Sequence, residues 1–152
     1  MTGATLRHAA TLLAMLALAG GCDWRPRDPS GTEDRVRATG VIRVGMAGAD
    51  DPAVAAFLPQ LAQDAEAVPR VERGAAEPLL QRLDRGELDM VVGTFANDSP
   101  WLPLVGAVPP LDGGGDGGDR IAPRALVRAG ENGWQMLAEA SARKLAAKGD
   151  RP

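Results

Sequence analysis

Apolar positions along this chain alternate between short runs and helical stripes. Val41 to Gly45 (VIRVG) is a brief β-branched run ended by glycine, which predicts a first strand. Val54, Phe57, Leu58, Leu61, Ala62 and Ala65 then recur at helical spacing, with Asp50 or Asp51 placed to cap the helix and Pro52 in its first turn. Pro59 interrupts that stripe, so the helix either kinks there or starts there. Pro69 to Arg73 reads as a weak second strand. Gly74 then turns the chain into a helix with Leu79, Leu80 and Leu83 on one face, Pro78 in its first turn and Gly86 at its C-terminal cap. Leu88 to Gly93 (LDMVVG) predicts a third strand, and Arg124 to Arg128 a further one. Trp134, Leu137, Ala138, Ser141 and Leu145 stripe a closing helix on which Glu139 and Arg143 are spaced to pair. Strands alternating with helices predict right-handed βαβ crossovers and an α/β domain with a largely parallel sheet, helices on both faces. Ligands of such sheets sit beyond the carboxyl ends of the strands, here after Gly45 and Gly93.

The N-terminus has a different pattern. Arg7 and His8 precede an apolar core from Ala9 to Leu18, and Ala19, Gly20 and Gly21 lead into Cys22, which predicts an export signal over residues 1–21. Its ten apolar-core residues are too few to span a bilayer, which takes roughly 20. Ala19-Gly20-Gly21-Cys22 resembles the bacterial lipoprotein box, with Leu18 one place earlier than the box usually has it; the resemblance implies acylation of Cys22 and a membrane-attached chain. The alternative is an ordinary signal peptide and a soluble periplasmic protein. Asp23 resembles the inner-membrane retention signal of some bacteria. Residues 22–38, broken by Pro26 and Pro29, read as a lipid-anchored linker, and Leu111 to Asp119 (LDGGGDGGD) as a flexible loop. That leaves residues 39–147 as the folded lobe and 148–152 as a disordered tail.

Composition narrows the chemistry. Beyond the signal the chain has no histidine, no tyrosine and no cysteine other than Cys22, so a disulfide framework, a Ser-His-Asp or Cys-His nucleophilic site and Cys/His zinc ligation are not expected. No cofactor is expected, and catalysis would rest on carboxylates alone. A net charge of -3, scattered basic residues and 3% aromatic content argue against a nucleic-acid partner.

Gly40 to Met46 (GVIRVGM), Leu80 to Gly93 (LQRLDRGELDMVVG) and Thr94 to Leu111 (TFANDSPWLPLVGAVPPL) are similar to the first lobe of family 3 bacterial extracellular solute-binding proteins. The similarity extends more loosely over Pro123 to Ala140. It implies a single lobe of the periplasmic-binding-protein type II kind, from a family whose usual members close two lobes around a small solute, commonly an amino acid, and hand it to a membrane permease. This chain has room for one lobe, and Leu111 to Asp119 stands where the excursion into the second would begin. The family's carboxylate-gripping arginine after the third strand is replaced by Asp98-Ser99-Pro100-Trp101, and its first loop is shortened to Met46 to Asp51. One open lobe with these departures is expected to bind amino acids weakly.

The candidate ligand residues are Asp50, Thr94, Phe95, Asn97, Asp98, Ser99 and Trp101. Each has a structural alternative: helix capping for Asp50 and Asp51, Asx and Ser turns for Thr94 to Ser99, loop packing for Trp101. The expectation is a non-enzymatic exported lipoprotein that binds a small solute weakly or assists an envelope transport system. The alternative is a protein-interaction module derived from such a lobe.

Overall fold

The computed structural model describes residues 28–114 and 120–149. The export signal, Cys22 and Asp23 therefore lie outside the described residues, as do 115–119 of the Gly/Asp-rich loop and 150–152 of the tail. In chain order the elements are α1 (Thr32–Thr39), β1 (Val41–Ala47), α2 (Pro52–Ala65), β2 (Val68–Gly74), α3 (Ala76–Asp84), β3 (Met90–Ala96), a 3-10 turn (Leu102–Leu104), β4 (Val105–Ala107), β5 (Ile121–Arg128) and α4 (Asn132–Gly149). The strands form one sheet in the order β2-β1-β3-β5-β4. No helix of the described residues is long and apolar enough to cross a membrane.

The sheet is covered on both faces, because successive strand residues point to opposite sides. Ile42, Val44, Val92, Ala125 and Val127 join Phe57 and Leu61 of α2 and Trp134 and Ala138 of α4 in one core. Val91, Phe95 and Leu126 join Leu79, Leu80 and Leu83 of α3 in the other. The Trp134 indole is buried and donates to the Asp89 carbonyl at 2.9 Å, which satisfies its one polar group. Asp89, 2% exposed, accepts from the Arg43 backbone N–H at 2.6 Å and pairs with the Arg43 and Arg35 guanidinium groups, tying α1 and β1 to the start of β3. The expected stripe on α4 and the Glu139–Arg143 pair, at 3.5 Å, are both present.

Several expectations need correcting. Gly45 and Gly93 do not stop their strands: β1 runs on to Ala47 and β3 covers Met90–Ala96 rather than Leu88 to Gly93. These glycines are close-approach positions inside the sheet; a Cβ on Gly93 would lie 2.5 Å from the Ala47 carbonyl oxygen. The sheet is parallel along β2, β1 and β3, but β5 runs antiparallel to both β3 and β4, so four strands share one direction and the fifth opposes them. β4 has no counterpart among the expected strands, since three residues are too short to show a period.

Residues 22–38 are not linker throughout. Residues 32–39 form α1, whose Val36 is fully buried in the first core, so the fold begins before residue 39. At the other end α4 includes 148 and 149, where the Lys148 ammonium donates to Gln60 Oε1 at 2.6 Å. Leu111 is buried and its N–H donates to the Pro123 carbonyl at 2.9 Å, so it belongs to the lobe and not to the loop. Pro59 neither starts nor breaks α2, which begins at Pro52 behind the Asp51 cap. Pro59 and Ala55 both face outward, and water can serve the Ala55 carbonyl that lacks an N–H donor from residue 59.

Candidate functional site

The parallel register sets β1 and β3 side by side, Ala47 opposite Gly93, so both strands release their chains at one end of the sheet. β5 enters the sheet at that same end, with Ile121 opposite Ala96. The predicted residues distribute around this edge. Thr94 is exposed on β3, opposite Pro123, and Asp98 is exposed in the turn that follows. The Asn97 N–H donates to the Arg120 carbonyl, and the Ser99 N–H to the Ala96 carbonyl at 3.0 Å, so backbone bonds hold Asn97 to Ser99, whereas Thr94 and Phe95 belong to the strand.

Two aromatic candidates serve packing. Phe95 is 6% exposed within the core beneath α3, and Trp101 packs against that same core from the 3-10 turn. Asp50 stands apart from the β3 turn: it pairs with Arg73 of β2 at 2.7 Å, both side chains largely exposed. Its neighbour Asp51 caps α2 by accepting from the Ala53 N–H at 2.8 Å.

The tertiary structure adds two residues to the edge that sequence reasoning did not single out. Arg124 of β5 is 4% exposed, and its Nη2 donates to Asn97 Oδ1 at 2.6 Å. Together with Leu102, Ala107, Pro109 and Glu139 of α4 these two line an open cleft of about 320 Å³. Glu139 accepts from Gln135 Nε2 at 3.0 Å and keeps 26% of its side chain exposed. The available signal was the arginine inside an apolar strand run, PRALV, since a buried charge requires fixed partners.

The cleft therefore combines a buried guanidinium, a carboxamide and a partly exposed carboxylate, while the exposed Thr94 and Asp98 stand at the end of β3 outside its lining. Groups of this kind can hydrogen-bond a small polar molecule. Among the described residues no group of His, Cys, Asp and Glu side chains is arranged to hold a metal ion.

The sequence matches no protein-family model and no curated protein. The fold does match solved structures. One is a mutant of the arginine-bound form of domain 1 from TmArgBP, with 17% identity and a TM-score of 0.63, covering 76% of this chain and 98% of that one. A second is an amino acid ABC transporter substrate-binding protein from Streptococcus pneumoniae Canada MDR_19A bound to L-arginine, with 8% identity and a TM-score of 0.65, covering 78% and 93%. A third is an ancestral cationic amino acid solute binding protein, with 10% identity and a TM-score of 0.63, covering 78% and 95%. The chain has the fold of a single lobe of the amino acid substrate-binding proteins of ABC transporters.

Proposed function

We propose that this protein is an exported, lipid-anchored, non-catalytic solute-binding lobe that takes a small amino-acid-like molecule at the strand-end edge, on its own account or as an accessory to an envelope transport system. The observation that carries this reading is the hydrogen bond from Arg124 to Asn97 at the carboxyl end of β3, next to the exposed Asp98, in a fold shared with an isolated single domain that is arginine-bound. That neighbour supports the idea that one lobe suffices to hold a solute. In this reading Arg124 is a positioning residue that fixes the Asn97 carboxamide, while Thr94, Asn97, Asp98 and Ser99 contact solute, with Asp50 on the flank.

The N-terminal lipoprotein box supports acylation at Cys22, which places the lobe on the periplasmic side of a membrane, the inner one by the Asp23 signal. Its partner would be a permease or another envelope protein. A second reading, an interaction module without solute, is favoured by the openness of the cleft and by the burial of Phe95, which removes one aromatic wall.

A thermal-shift screen of the mature chain against an amino acid panel that includes arginine separates the two. A solute at 100 times its dissociation constant adds about 2.7 kcal/mol. Stabilisation by a panel member that Asp98→Ala and Asn97→Ala each weaken supports solute binding at this edge. Hits unaffected by either change reject the site, and a panel without hits favours the interaction module.

A further inference from the structure

The place where the chain enters the lobe constrains which way its candidate site can face. Asp28 is held at the start of α4: its carboxylate accepts from the Gly133 N–H at 2.6 Å and the Trp134 N–H at 3.1 Å. The Glu131 carboxylate accepts from the N–H groups of Ser30 and Thr32 at 2.8 and 2.9 Å, and Arg128 donates to the Ser30 hydroxyl at 2.9 Å. The entry point is therefore fixed to the end of β5. Because β5 is antiparallel to β3, with Ile121 opposite Ala96 and Leu126 opposite Val91, that end lies where β3 starts, at the pole opposite the candidate site.

We propose that the anchored lobe stands with its strand-end edge pointing away from the bilayer that carries its lipid. The site then receives its solute from the aqueous compartment, and a permease in that same bilayer would meet a different face of the lobe. The inference rests on acylation at Cys22. The five residues Asp23 to Arg27 and the link to Asp28 reach about 20 Å at full extension. The eight residues of β5 separate the two poles by about 23 Å, before the turn at Asn97 to Ser99 is added. Turning the site onto the membrane would lift Asp28 by more than the tether can stretch.

The test uses the full chain, expressed with its own signal, purified and reconstituted into phosphatidylethanolamine/phosphatidylglycerol vesicles whose headgroups carry a nitroxide quencher. Acylation consumes the Cys22 thiol, so a cysteine introduced by Asp34→Cys on α1 or by Asp98→Cys beside β3 is the single site for a short-range fluorophore; both positions are exposed. Quenching should be severalfold stronger at position 34 than at 98. Inserting about 20 Gly/Ser residues between Arg27 and Asp28, with a mean span of about 25 Å, should even out the two signals. Equal quenching at the native tether length, or stronger quenching at 98, overturns the orientation while leaving acylation intact. A reactive Cys22 thiol on a chain that does not float with the vesicles overturns acylation and the orientation with it.

Discussion

At the scale of single residues, two glycines in neighbouring strands do the same job with different tolerance. A Cβ on Gly93 would meet backbone, the Ala47 carbonyl oxygen at 2.5 Å, whereas one on Gly45 would meet the far ends of flexible side chains, Leu88 Cδ1 at 2.9 Å and Leu79 Cδ2 at 3.0 Å. Backbone in the middle of a ladder cannot give way, while leucine methyls can rotate. Gly93→Ala is therefore expected to cost about 3 kcal/mol and Gly45→Ala nearer 1 kcal/mol, the range known for overpacked cores. Urea denaturation midpoints of the two variants check the order, and a larger loss at Gly45 would contradict it. The same residues explain one error of sequence reading. A glycine after a valine run looks like a turn signal, and only the facing strand reveals that it makes room for a neighbour. Once β3 runs past Gly93, Thr94 and Phe95 become strand residues and Phe95 turns inward, so a residue that adjoined a binding loop in the sequence becomes core.

At the scale of elements, α1 has the largest consequence for where the domain begins. Its composition is polar and its preceding prolines favour a linker, yet Val36 is fully buried and Asp28 caps the start of α4. A chain that begins at Thr39, the boundary that composition indicates, loses both. Burying one valine contributes about 2 kcal/mol and a helix cap about 1 kcal/mol, so this truncation should be less stable than a chain beginning at Arg27 by roughly 3 kcal/mol. Coincident urea transitions for the two would show that α1 is dispensable. The helices with wide apolar stripes, α2, α3 and α4, were legible because burial against a sheet demands the periodicity that the sequence shows. α1 escaped because one buried valine and polar contacts to Asp89 and Glu131, 54 and 99 positions away, hold it, and neither leaves a periodic trace.

At the scale of the whole molecule, the polar contacts that fasten the N-terminal segment and α4 make stability depend on acidity. Burial pushes the Glu131 carboxyl up, but hydrogen bonds from Thr32 and Ser30 outweigh it and hold the group below its ordinary value. Burial likewise pushes Asp64 up, and Lys144, Ser141 and Gln60 together bring it below the usual carboxylate range. A depressed value in the folded state adds stability that is present above the unfolded value, about 4.3 for Glu and 3.9 for Asp, and that is lost as pH falls through the lower folded values. The melting temperature should hold from neutrality to about pH 5 and then decline. Glu131→Gln should lower it at neutral pH and flatten the decline; an unchanged acid limb would remove Glu131 from this role. By itself the sequence determined the α/β alternation, the two-faced sheet, the apolar stripes and the strand-end turn as the place to look for a site, because each follows from local periodicity and turn chemistry. Only the tertiary structure decided the reversed direction of β5, the inclusion of α1, the inward turn of Phe95 and the arrival of Arg124 at Asn97, 27 positions away. Those depend on register and on contacts between distant segments, which no local pattern encodes.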